Sequence, residues 1–110
     1  MIDFYQDLLG FTYHSSSDRS GTTIHRMMCG DSMIKLLKHD SSPADAPSGG
    51  IRGGKGYRYW TITVDNLEAL VSECECAGHN IATSATEPGA RIAMVEDPDG
   101  NWVEFLQLNQ

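Results

Sequence analysis

Two glycines, each closing an apolar helical stripe, start the same ruler twice. Gly10 stands 25 residues before Lys35, and Gly78 stands 26 residues before Glu104. Self-similarity at a fixed spacing is the mark of one supersecondary unit used twice. The two endpoints share a local pattern as well: Met33 and Leu37 flank Lys35 at a spacing of two, and Trp102 and Leu106 flank Glu104. That period puts each charge on one strand face with large apolar neighbours.

The elements between these marks follow from periodicity. Ile2, Phe4, Tyr5, Leu8 and Leu9 keep helical spacing, so the chain opens in a helix over 2–9 with Gly10 as a left-handed cap. Strands are predicted over 11–15, 22–29 and 33–38, with a polar loop over 15–21 and a turn at Gly30-Asp31. In the second half, 57–64 reads as a strand and Asp65 as the cap of a helix with Glu68 three residues on. Leu67, Leu70, Val71 and Cys74 make that helix's buried stripe before Gly78. Strands over 80–86, 90–96 and 101–108 follow, separated by Pro88-Gly89 and by Asp97-Pro98-Asp99-Gly100. The reading is one α+β domain over 1–110: an αβββ unit at 1–38, a Gly/Ser/Pro/Asp-rich loop at 39–56, and a full βαβββ unit at 57–110. By the same ruler the counterpart of Tyr59 falls about nine residues before Met1, so the first unit is expected to lack its opening strand.

Charge narrows the function. A net charge of -7 and a pI near 4.8 set the chain against phosphate-rich partners, so nucleic acid and anionic membranes are excluded in favour of a small molecule. No apolar run reaches the roughly 20 residues of a membrane span. Asp3 and Asp7 stand where a secretion signal would be basic and then apolar, which predicts a cytoplasmic protein. Cys29, Cys74 and Cys76 read as reduced thiols with Cys74 in the core; a zinc site at Cys74-x-Cys76 would have only His79 nearby as a further ligand.

A charge alternating into an apolar strand face must reach water or meet a partner, because burying it alone costs several kcal/mol. Lys35 either lines a site or extends its ammonium to solvent. Glu104 is assigned to a site because its neighbour Trp102 is too large and apolar for an open surface. Tyr57 and Tyr59 share a strand face and, with Trp102, offer stacking surfaces. Arg52, Lys55 and Arg58 cluster by the loop, where they hold an anionic group of the ligand or keep the loop soluble. His14, His25, His39 and His79 read as solvated or hydrogen-bonded.

With FYQDLLGF at the start and VEDPDGNWVEFLQ near the end, the chain resembles the vicinal oxygen chelate superfamily of glyoxalases, bleomycin-resistance proteins and extradiol dioxygenases. The resemblance implies two βαβββ units in a curved mixed sheet around one cavity, in or between the subunits of a homodimer. It also implies four metal-ligand positions, of which only Glu104 carries a ligand. Tyr59 and Lys35 occupy the third and second, and the first precedes Met1. A phenol and an ammonium are poor ligands near neutral pH, so no cofactor is expected, with a divalent metal as the alternative. The function implied is a metal-independent binding protein that holds an anionic or aromatic small molecule through Lys35, Tyr57, Tyr59, Trp102, Glu104, Arg52 and Arg58. The alternative is a lactoylglutathione-lyase-like lyase or isomerase with Glu104 as base and Lys35 at the developing oxyanion.

Overall fold

A computed structural model describes residues 1–109. It divides into two compact units, Met1–Ala46 and the chain from Pro47 on, so the break falls inside the predicted 39–56 connection. Among the described residues seven strands form two sheets, one of three strands and one of four, and neither closes on itself. The class is α+β, as the periodicities predict.

The first unit opens in a π-helical segment, Phe4–Leu8, rather than the regular helix predicted over 2–9. The Leu9 N–H reaches the Phe4 carbonyl at 3.1 Å, and the Phe11 N–H reaches the Tyr5 carbonyl at 2.9 Å. This wider winding buries the adjacent rings of Phe4 and Tyr5, which meet edge to face at 4.9 Å. Gly10, at φ +78°, makes the left-handed exit.

An antiparallel meander follows: β1 (Thr12–Arg19), β2 (Thr22–Cys29) and β3 (Ser32–His39). The predicted loop over 15–21 is therefore mostly strand. Ser15 to Arg19 pair along β2, and only Ser20-Gly21 turn, both at positive φ. This end of β1 is exposed. It is held by the backbone ladder, which leaves no apolar alternation in the sequence.

In the second unit, β4 (Tyr59–Thr63) runs parallel to β7 (Trp102–Leu108). Helix α1 (Leu67–Cys76) then crosses to β5 (Ile81–Glu87), and β6 (Ala90–Glu96) leads back to β7. β4 starts two residues later than predicted, which leaves Tyr57 outside the sheet and fully exposed. The helix cap is Asn66, whose Oδ1 accepts from the Ala69 N–H at 3.2 Å; Asp65 precedes it. Val64 N–H still bonds the Leu106 carbonyl, so the strand ladder runs up to the residue before Asp65. Gln107 Oε1 takes a second orphan donor, the Leu67 N–H, at 2.7 Å.

Burial sorts the two faces of this sheet. Val103, Phe105, Ala93, Val95 and the helix residues Leu67 and Cys74 are buried. Gln107, two residues beyond Phe105, bonds α1, so this face is the helix side. Trp102, Glu104 and Leu106 occupy the other face, half-buried.

Candidate functional site

The face of the second sheet that looks away from α1 is ordered in rows set by strand register. Tyr59, Trp102 and Glu96 stand side by side across β4, β7 and β6; Thr61, Glu104 and Met94 form the next row; Thr63, Leu106 and Ile92 form the third. A carboxylate thus sits between an aromatic row and an aliphatic one. Thr61 Oγ1 donates to Glu104 Oε1 at 2.9 Å, and Met94, on the other side, is buried. The threonine holds one carboxylate oxygen, which leaves the second to accept from a ligand's N–H or O–H.

Trp102 is pinned at both ends. Its Nε1 donates to Glu96 Oε1 at 3.0 Å, and its benzo ring lies against the backbone of Gly50. Gly50 is buried at φ +67°, at the head of a 3-10 turn over Gly50–Arg52. A Cβ there would sit 2.6 and 2.8 Å from Cη2 and Cε2 of Trp102, so only glycine allows the approach. Arg58 secures the loop: Nε donates to the Gly50 carbonyl at 2.8 Å and Nη2 to the Pro47 carbonyl at 2.7 Å. Arg58 is occupied by its own chain, and Arg52 is exposed at the end of the turn. Tyr57, fully exposed outside β4, does not stand in the row that holds Tyr59.

Lys35 lies in the first unit, on β3, exposed. Its cross-strand neighbour is Arg26 of β2, a residue the sequence reading passed over. The signal was present: a two-residue turn at Gly30-Asp31 pairs Cys29 with Ser32, and counting back along both strands sets Arg26 against Lys35. Thr61 and Gly50 were also missed. Neither could be found without knowing which strand borders β7 and where the glycine-rich loop lands.

Among the described residues no three His, Cys, Asp or Glu side chains lie close enough to hold a metal ion. The register partners of Glu104 are a hydroxyl and a thioether, and the other carboxylate in these rows, Glu96, is engaged by Trp102 Nε1, a donor set that does not fit a divalent cation. The histidines are engaged elsewhere: Tyr13 Oη and His25 Nδ1 share a 2.8 Å hydrogen bond, as do His14 Nδ1 with Ser15 Oγ and His39 Nδ1 with Thr22 Oγ1. Cys74 is buried while Cys76 is exposed, as their spacing on one helix requires. A groove of about 700 Å3 runs between α1 and β5–β6, past Val71 and Ile81, with the Arg91–Glu68 ion pair at 3.3 Å among its lining. It runs along α1, and Glu104 is not among its lining residues.

Residues 1–105 match the family described as the Glyoxalase/Bleomycin resistance protein/Dioxygenase superfamily. No curated protein matches the chain. Among solved structures, a glyoxalase family protein from Bacillus cereus superposes with a TM-score of 0.82 at 16% identity, covering 94% of this chain and 82% of its own. The trypanothione-dependent glyoxalase I of Leishmania major gives 0.75 at 23% identity, with 96% and 75% covered. TnmS3, an antibiotic binding protein from Streptomyces sp. CB03234, gives 0.69 at 20% identity, with 97% and 83% covered. At these identities the likeness is one of fold.

Proposed function

The chain belongs to the Glyoxalase/Bleomycin resistance protein/Dioxygenase superfamily, and on that premise we propose that it is a metal-independent small-molecule binding protein. The observation that carries this reading is the row arrangement on the second sheet, with Glu104 held by Thr61 between Tyr59 and Trp102 on one side and Leu106 and Ile92 on the other. Such a surface stacks an aromatic ring and anchors one polar hydrogen on it. The ligand binds by its ring to Tyr59 and Trp102 and donates to the second oxygen of Glu104. No step passes through a metal, because the donors around Glu104 do not fit one. Among relatives, TnmS3 is an antibiotic binding protein, which supports the same class of ligand here.

The test is a titration of the EDTA-dialysed protein with bleomycin and a panel of planar aromatic compounds, followed by calorimetry. Saturable binding that survives EDTA and falls at least about tenfold in Glu104→Ala and in Trp102→Ala supports the reading. Binding that requires an added divalent ion, or none across the panel, overturns it. A glyoxalase-type isomerisation with Glu104 as base is the second reading, favoured by the likeness to the glyoxalase I fold. Turnover of the methylglyoxal–glutathione hemithioacetal, lost in Glu104→Gln, would select it.

The protein is further proposed to act in the cytoplasm as a homodimer. No helix among the described residues is long and apolar enough to cross a membrane. Among the described residues β3 is bonded only to β2, with Met33 44% and Leu37 52% exposed beside its other edge. Edges of this kind recruit a partner, and a second copy offers a closed symmetric one. A monomer by light scattering at micromolar concentration would refute it.

A further inference from the structure

Like charges set directly opposite each other on neighbouring strands destabilise a sheet. In the first unit Arg26 and Lys35 are such a pair, in register on β2 and β3. Their face has no counterweight. By register it carries a third cation, Arg19, and the hydroxyls of Ser15 and Ser17, and no strand residue on it is acidic. The chain holds 15 acidic residues against 8 basic ones, so an acid-free face with three of the cations is not what its composition would scatter there.

The bonding of the two charges sharpens the point. Arg26 Nη2 donates to the Ser17 hydroxyl at 3.1 Å, which orients the guanidinium without neutralising it. Lys35 has no hydrogen-bond or ion-pair partner among the described residues. Two cations whose Cβ atoms stand about 5 Å apart can share one oxyanion between them, which turns a repulsion into two charge-assisted hydrogen bonds. Met33 and Leu37 flank Lys35 on the same face and are exposed, so apolar surface adjoins the charge.

We propose that Arg26 and Lys35 form an anion-binding site for the carboxylate or phosphate group of a small organic ligand whose apolar body lies along Met33 and Leu37. The inference rests on the reading of the chain as a small-molecule binding protein and names the chemical class of the ligand. The Ser17 hydroxyl is a positioning group for Arg26. Ligand binding removes the cross-strand repulsion, so the anion also stabilises the fold, and does so most at low salt.

The test is an NMR titration of the whole chain at low salt with hexanoate, with hexanol and inorganic phosphate as controls. Hexanoate is expected to shift the amide signals of Arg26, Lys35 and Ser17 saturably. Phosphate shifts the same signals more weakly, and hexanol leaves them in place. Lys35→Gln should weaken hexanoate about tenfold, and Arg26→Lys should weaken it less than Lys35→Gln does, because the charge remains and the fork is lost. Lys35 is exposed on an edge strand, so Lys35→Gln keeps the fold; without ligand at low salt it should melt above the parent protein, as the lost repulsion requires. Equal shifts from hexanol, an unchanged hexanoate affinity in Lys35→Gln, or a melting temperature at or below the parent's would each overturn the proposal. Failure here with intact, Glu104-dependent binding of the aromatic panel removes the anion site alone. Hexanoate binding with no panel binding removes the reading at Glu104 and leaves this site standing.

Discussion

Thr61 Oγ1 donates a 2.9 Å hydrogen bond to Glu104 Oε1 from the neighbouring parallel strand. The pair is partly open to solvent, so its contribution to folding is small, while its effect on where the carboxylate points is direct. Thr61→Val keeps the β-branched shape and removes the donor. Its expected result is a 3- to 10-fold weaker hold, roughly, on any panel compound bound through Glu104, with folding stability within about 0.5 kcal/mol of the parent. Calorimetry and urea denaturation read the two quantities separately. An unchanged affinity would mean Glu104 needs no positioning.

Cys74 and Cys76 should differ sharply in reactivity. Cys74 is 0% exposed, and burial, followed by the neighbouring charges of Glu73 and Glu75, pushes its thiol up to about 11 from an ordinary 9.0. Cys76 is exposed two residues on. Iodoacetamide at mildly alkaline pH should label Cys76 and spare Cys74 until the chain unfolds, as mass spectrometry would show. The sign of the pH effect follows from linkage. The folded state keeps the Cys74 proton after the unfolded chain has lost it, so this stabilisation is full below pH 9 and is lost progressively as pH rises towards 11. In Cys74→Ala that part of the alkaline fall in urea midpoint should disappear.

How much of this could be read beforehand depends on which interaction fixes each element. Apolar period two gave β2 and β6 with the observed bounds, since their side chains make the core: Met27 and Val95 are fully buried. The second half of β1 was illegible because Ser15 to Arg19 are held by backbone pairing and polar side-chain bonds, such as Thr23 Oγ1 to Asp18, rather than by apolar packing. Asp65 and Asn66 are both good caps by residue type, and the one in use is identified by the Asn66 side chain accepting from the Ala69 N–H. At the site, Glu104 and Trp102 were legible as misfits on an apolar strand. The bonds of Arg58 to two carbonyls of its own loop were not legible, because they depend on where the loop folds back.

Asp97 should be worth more to stability than its position in a surface turn suggests. Its side chain is 4% exposed, and Oδ1 accepts from the Asp99 and Asn101 N–H groups at 3.0 and 2.9 Å, while Oδ2 accepts from Asn101 Nδ2 at 2.9 Å. Asp97→Ala strands these donors and is expected to cost about 2–4 kcal/mol in urea denaturation. Asp97→Asn keeps one acceptor and should cost less. Equal losses in the two variants would contradict this assignment of the turn's stability to the acceptor oxygens.

The loop that rests on Trp102 gives the last prediction, because its two fastenings fail in different ways. Arg58 ties the carbonyls of Gly50 and Pro47, and Gly50 at φ +67° lies on the indole. Arg58→Gln removes both carbonyl bonds but no packed surface. It should leave the global melting point nearly unchanged while trypsin cuts after Arg52 and Lys55 about fivefold faster or more, as expected when a local opening is made easier by 1 kcal/mol or so. Gly50→Ala acts on the fold itself through two costs, the positive φ and the encounter of the new methyl with Trp102, together about 1–3 kcal/mol. A double-mutant cycle separates them. Trp102→Ala in the Gly50→Ala background relieves the encounter and leaves the backbone strain, so the double variant should be more stable than the sum of the single losses allows. Strict additivity would mean that the loop does not rest on Trp102 in solution.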